Sequence, residues 1–411
     1  MAIALTSTVT ATVIAPKVLI ISMFAPEASA WHTHFPLSGL GNLSAISLPL
    51  PGLSVLFPSV LCTADTSICH ATVGEGEINA AASATALLLA PALDLRASYV
   101  LLAGIAGAHP GRATLGSVAF ARYAVQVGLQ YEVDAREAPA DWGSGYVAYG
   151  TDRPLQYPRV VYGSEVFELN ANLRDRAYEL AASATTLDDA SEARALRALY
   201  PARSAAAGPP ALVRCDVTTS DVYFVGDALA EAFDKTTRVW TNGTGAYCMS
   251  AQEDNAILQV LVRAAVARRV DFARVLVLRA GANFDRPPPG MPVGNFMAQP
   301  GQAIAAQNVY RAGIRVVQGI VRGWDATFAR GVAADNYIGD IFGSLGGEPD
   351  FGTPATRLDA QRHKAGEQRQ RKRWVQRDRQ AEPAAAQYQE RQKRRNWQER
   401  REATIVANDR T

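Results

Sequence analysis

A chain of 411 residues, 48% of them hydrophobic, can bury one large α/β core, and its 41 Lys and Arg against 39 Asp and Glu leave it near neutral. No run of about twenty uninterrupted apolar residues occurs, which excludes a helical membrane span; the best stretch, 46–61, is broken by Pro49, Pro51 and Pro58. Four cysteines without a C-x-x-C pair argue against structural zinc and a disulfide framework, so Cys62, Cys69, Cys215 and Cys248 are read as buried free thiols.

Residues 1–16 are apolar and Thr-rich but lack a basic start and a continuous apolar run, so they form an N-terminal extension and leave the compartment open between cytoplasm and cell exterior. The run 17–23 predicts a short buried strand ending at the turn Ala25, Pro26, Glu27. Residues 36–60, rich in Pro, Gly, Ser and Leu, predict a loop with an edge strand. Next come a strand at 67–73, a turn on Gly74 and Gly76, and an Ala-rich helix at 78–89. The pattern repeats with a strand at 97–103 that exits through Gly104, Ile105 and Gly107. Two glycine turns at strand C-termini, where open α/β sheets bind ligands, point to a shared crevice.

Alternating apolar positions over 115–133 predict a β-ribbon, and 134–158, rich in Gly, Pro and aromatics, a long surface loop. Helices are predicted at 170–182 and 187–199, a linker at 204–210, strands at 213–217 and 237–240, and a helix starting at 228–233 between those two strands. A polar cluster with Gln252 and Glu253 heads a long helix, and the strand 275–278 ends in a second cluster, 279–285, holding Arg279, Asn283 and Asp285. A last amphipathic helix is predicted at 303–330. Alternating strands and helices give an α/β class with a mixed twisted sheet flanked by helices.

Charge is split along the chain. Residues 361–411 carry 15 Lys and Arg against 7 Asp and Glu, leaving 26 against 32 in the first 360. Rich in Gln, Arg and Glu, the tail from 351 is expected to be a disordered, solvated extension. Trp374 and Trp397 are too few for a base-stacking platform, so no nucleic-acid partner is expected. The acids are dispersed without metal-ligand spacing, and neither metal nor cofactor is expected. His32 and His34, near Glu27, read as surface residues of a turn.

The motifs ISMFAPEA at 21–28, NGTGAY at 242–247, ANFDRP at 282–287 and NYIGDIF at 336–342, with the glycine turns and Gln252-Glu253 in order between them, resemble the purine nucleoside permease family within the nucleoside phosphorylase/nucleosidase superfamily. The resemblance spans residues 17–350 and implies a three-layer phosphorylase-like fold, a purine nucleoside ligand and a homo-oligomer. It also implies an N-glycosidase, with hydrolysis favoured over phosphorolysis; a non-catalytic nucleoside-binding protein assisting transport is the alternative.

By that resemblance Glu253 grips the ribose and Gln252 lies beside it; the structural alternative is an acid complementing a helix dipole. Asn283 falls where relatives hold the purine N7. An amide can offer a donor and an acceptor but no acidic proton. Asp285 is then the expected proton donor, with an ion pair to Arg286 or Arg279 as its alternative. Tyr223 matches an aromatic that stacks on the purine, with core packing as its alternative. Gly104 and Ile105 line the site, and Leu102 and Ile105 stand where phosphorylases hold phosphate with arginine and a Gly-x-Ser turn. Glu27 matches the glutamate that activates water in methylthioadenosine nucleosidases, or else caps a helix. Both positions favour water over phosphate as the nucleophile.

Overall fold

The computed structural model describes residues 13–351, so the basic tail and most of the N-terminal extension lie outside the described residues. The apolar run at the start is strand β1 (Val18–Ser22), buried throughout. Its side chains alternate: Leu19 and Ile21 enter one core, Val18 and Ile20 another. A strand buried on both faces requires helices on both, and the chain supplies them.

Helix α1 (Ala25–His34) leads to β2 (Ile46–Pro49), β3 (Ser59–Cys62) and β4 (Ile68–Thr72), then α2 (Glu77–Leu89), β5 (Tyr99–Ala108), β6 (Val118–Phe120) and β7 (Tyr123–Gln126). A two-stranded ribbon follows, β8 (Tyr131–Glu132) with β9 (Tyr146–Val147), and then β10 (Val166–Glu168), α3 (Ala171–Ala182), α4 (Ser191–Arg197), β11 (Leu212–Arg214) and β12 (Asp216–Thr219). The last elements are α5 (Asp227–Trp240), β13 (Tyr247–Ala251), α6 (Asp254–Val266), β14 (Val275–Phe284), α7 (Gln302–Arg322) and β15 (Gly339–Asp340). Among the described residues, 13 strands form one mixed sheet. Helices α2 and α6 pack on one face, while α1, α3 and α7 pack on the other.

Strand β5 is the axis of the sheet. Its first half pairs in parallel with β1, its end pairs antiparallel with β13, and β14 runs parallel to it from Val100 to Ala108. The C-terminal ends of these strands therefore converge where Ile105, Gly107, Ser250 and Asn283 lie. The β14 register slips between Gly281 and Asn283: Gly281 faces Ala106, Asn283 faces Gly107, and Ala282 is the extra residue of a bulge.

The fold corrects several expectations. The cysteines are not free thiols: Cys62 pairs with Cys69 and Cys215 with Cys248, with Cα separations of 4.1 and 5.8 Å. Antiparallel pairing of β3 with β4 sets Cys62 opposite Cys69, a proximity created by sheet register and not by spacing in the chain. The strand expected at 237–240 is the last turn of α5. Its β-branched residues favour a strand locally, yet Ala230, Phe233, Thr237 and Trp240 bury one helical face. The helix expected at 187–199 is only α4, and that at 303–330 ends at Arg322, before a π turn over Trp324–Phe328. The strand expected at 213–217 is two strands, β11 and β12, on different partners. Among the described residues no helix is long and apolar enough to cross a membrane. At the other boundary, Ile14 bridges Leu93, so the folded body begins within the expected extension.

Candidate functional site

The strand ends enclose a cavity of about 260 Å³ lined by residues from both polar clusters, including Glu27, Ile105, Tyr223, Gln252, Glu253 and Asn283. Glu27 lies in the first turn of α1, where Phe24 at the N-cap gives no side-chain cap and the first N–H groups of the helix need partners. Its carboxylate supplies two acceptors: Oε2 takes the Met23 N–H at 2.7 Å and Oε1 the Ile105 N–H at 2.7 Å. The carboxylate thus ties the segment before α1 to β5 and forms part of the cavity wall. Burial pushes the Glu27 pKa up to about 7, against the opposing pull of Arg279 and the two backbone donors and with a further push from Glu253.

Arg279 holds the floor together. It stands in the apolar strand β14, fully buried, where a lone guanidinium is tolerated only with acids around it. Its Nη2 donates to Asp254 at 2.7 Å and to Glu253 Oε2 at 3.1 Å, its Nε reaches both Asp254 oxygens at 3.1 Å, and its Nη1 donates to the Ile105 carbonyl at 3.0 Å. The neighbouring carboxylates raise the Arg279 pKa despite its burial, so it stays charged. Burial also raises the Asp254 pKa, with Arg279 opposing. Glu253 occupies the N-cap of α6, and its other oxygen accepts the Gly76 N–H at 3.1 Å, tying the first glycine turn to the site. Gly76 has φ +83°, which favours glycine. Gly104 lies beneath this network: a Cβ there would sit 2.5 Å from Arg279 Nη1 and 2.7 Å from Glu27 Oε1.

Tyr223 lines the cavity mouth and is 57% exposed, so it is not a core residue. Gln252 lies on the wall, with its amide donating to the Asp221 carbonyl at 3.3 Å. Asn283 faces the cavity from the far side of the bulge, its Nδ2 3.3 Å from the Phe284 carbonyl. Asp285 does not line the cavity. It is fully buried and accepts from Arg286 at 2.8 and 3.0 Å and from the Tyr247 hydroxyl at 2.6 Å, which is the ion-paired alternative, with Arg286 as the partner. Leu102 is in the core, and Ile105 alone of that pair reaches the cavity. His32 packs edge-on to His70 at 4.8 Å, and His34 lines a separate cleft with Arg311 and Arg315.

The sequence places Arg279 in the second polar cluster, with no role beyond a possible pairing with Asp285, and gives Ser250 no role. A charge inside the run VLVLRAGA was the available signal for Arg279; Ser250 had none, because a serine in a strand is ordinary. Glu168 and Asn170, without an assigned role in the sequence, are structural. Glu168 accepts from Arg122 at 2.5 Å and from Asn336 at 2.8 Å, and Asn170 caps α3 by accepting the Leu173 N–H at 3.1 Å. Among the described residues no group of acids, histidines or cysteines is arranged to hold a metal.

A sequence model of the family described as purine nucleoside permease (NUP) matches residues 15–333. The purine nucleoside permease of Candida albicans is 44% identical over 346 residues, covering 82% of this chain and 83% of that protein. A probable purine nucleoside permease of Schizosaccharomyces pombe is 38% identical over 320 residues, covering 75% and 90%. Among solved structures, futalosine hydrolase of Helicobacter pylori matches with a TM-score of 0.45 at 14% identity, over 74% of this chain and 97% of that one.

Proposed function

This chain belongs to the purine nucleoside permease family, and on that premise we propose that its cavity binds a purine nucleoside and cleaves the N-glycosidic bond with water as the nucleophile. The observation that carries the reading is the buried carboxyl of Glu27 in the wall of the cavity that Glu253 and Asn283 also line. Breaking the bond from C1′ to the purine leaves an oxocarbenium-like sugar, which needs a grip on the ribose, a partner for the base and a nucleophile. Glu253, fixed by Gly76 and Arg279, takes the ribose hydroxyls; Asn283 holds the base at N7; Tyr223 stacks on its face. Glu27 accepts a proton from water as the water oxygen bonds to C1′ and the electron pair of the broken bond leaves with the base. A carboxyl with a pKa near neutrality suits that exchange.

The lining also favours water over phosphate. Glu27, Glu75 and Glu253 are acidic, and Arg279 already serves Asp254 and Glu253, so a phosphate dianion would meet more negative than positive charge. Asp285 is omitted from the proton path because it stands behind the wall and pairs with Arg286.

The relatives' names favour a second reading, a nucleoside-binding protein that assists uptake without cleavage. One experiment separates the two: incubation of the purified protein with inosine, guanosine and adenosine, with and without phosphate. Free ribose and base in phosphate-free buffer support the hydrolase. Ribose 1-phosphate formed only with phosphate overturns the choice of nucleophile, and binding without cleavage establishes the second reading.

A further inference from the structure

We propose that Ser250 is a specificity-determining hydrogen-bond acceptor, held in that role by Tyr247 and Asp285, and that it selects purines with an amino group at C6 over 6-oxopurines. The inference rests on the reading of the cavity as a purine site. Ser250 and Asn283 both line the cavity, and both are register partners of Gly107, Ser250 from β13 and Asn283 from β14. A Cβ at Gly107 would run into Ser250 Oγ and lie 3.1 Å from Asn283 Nδ2, so the two polar groups stand side by side over a position without a side chain. A base held at N7 by Asn283 presents its C6 substituent to the neighbour.

A serine hydroxyl in isolation donates or accepts as its rotor allows. Here the surroundings remove that freedom. Arg286 donates to both oxygens of Asp285, and Tyr247 gives its single proton to Asp285 Oδ2 at 2.6 Å. The phenol oxygen is therefore left with lone pairs, and the Ser250 hydroxyl is among the groups that act on it. The Ser250 hydroxyl donates to the Gly107 carbonyl at 3.4 Å, a group that also only accepts. Whichever of the two takes the one serine proton, the cavity faces oxygen lone pairs. Adenosine offers an N–H to them; inosine and guanosine offer a carbonyl oxygen, and two acceptors face to face leave a desolvated group unpaired. The same geometry makes Asp285 an acceptor: the Tyr247 hydroxyl and two Arg286 N–H groups all point toward it.

The test uses free adenine and hypoxanthine, which present the same ring edge and have no glycosidic bond to cleave. Calorimetry on the wild-type protein should show adenine binding at least ~10-fold more tightly than hypoxanthine. Ser250→Ala should remove most of that ratio by weakening adenine while changing hypoxanthine less than about threefold, and Tyr247→Phe, which deletes the phenol oxygen, should narrow it in the same direction. A purely structural role would weaken both bases together. Equal binding of the two bases to the wild type, or an unchanged ratio in Ser250→Ala, overturns this inference and leaves the purine reading standing. Absence of binding by either base and by adenosine and inosine overturns both.

Discussion

Glu27 and Gly104 are where single atoms decide the outcome. If Glu27 takes the proton from water, it works as the carboxylate, so turnover should rise as pH climbs through about 7. Glu27→Gln should lower the turnover number at least ~100-fold, abolish that rising limb and leave nucleoside affinity within a few-fold. A variant with wild-type turnover would remove Glu27 from the chemistry. Gly104→Ala tests the support beneath it. The added methyl would lie against Arg279 Nη1 and Glu27 Oε1, so one of the two must move; activity should drop by an order of magnitude or more, with a measurable loss of melting temperature. Unchanged kinetics would mean that the network relaxes freely.

At the scale of elements, the site depends on how strand ends are held side by side. The Cys215 to Cys248 disulfide fixes the entry to β12 against β13, whose far ends lead to Tyr223 and to Ser250 and Glu253. Replacing both cysteines by alanine should cost about 2–4 kcal/mol of stability, read from denaturant unfolding, and should weaken nucleoside binding as well. Loss of stability with affinity intact would show that β12 and β13 hold register without the bond. Much of this layer was legible in the sequence. The apolar run of β1, the glycine turn before α2 and the polar heads at Glu253 and Asn283 all carry local patterns. What stayed hidden depends on non-local register: the disulfides, the engagement of Arg279 with Asp254, and the contact of Tyr247 with Asp285, whose ion pair with Arg286 was one of two readings the sequence allowed. Thr237 to Trp240 misled for the opposite reason, a local preference overruled by packing in α5.

Across the whole molecule, buried carboxyls set the response to pH. Glu27 and Glu168 are both raised from 4.5 to about 7 in the folded protein, each mainly by burial. The folded state therefore binds protons more tightly than the unfolded chain between those values, and their contribution, complete below about 4.5, is lost as pH rises through about 7. Below pH ~6.5 buried His70, whose pKa burial lowers to about 3, opposes this trend; melting temperature should therefore fall between pH ~6.5 and pH ~8, and Glu27→Gln should flatten the decline. A melting temperature that rises over that range would contradict the burial of these groups. Self-association is an expectation that light scattering can check; Val222 and Tyr223 at the cavity mouth are 55% and 57% exposed.

The bulge at Ala282 has a further meaning for how this chain tolerates change. Up to Gly281, β14 keeps step with β5; one added residue then sets Asn283 beside Gly107. Excising Ala282 would leave Gly281 opposite Ala106 and Asn283 opposite Gly107 in an even ladder, and would take away the local bend and twist that the extra residue gives the strand carrying the asparagine. The length of the polypeptide here matters more than the identity of the residue that supplies it. Ala282→Gly or Ala282→Ser should leave nucleoside affinity close to wild type, whereas deleting the residue should abolish it, so lineages descended from this chain can exchange letters at 282 but cannot lose the space between them.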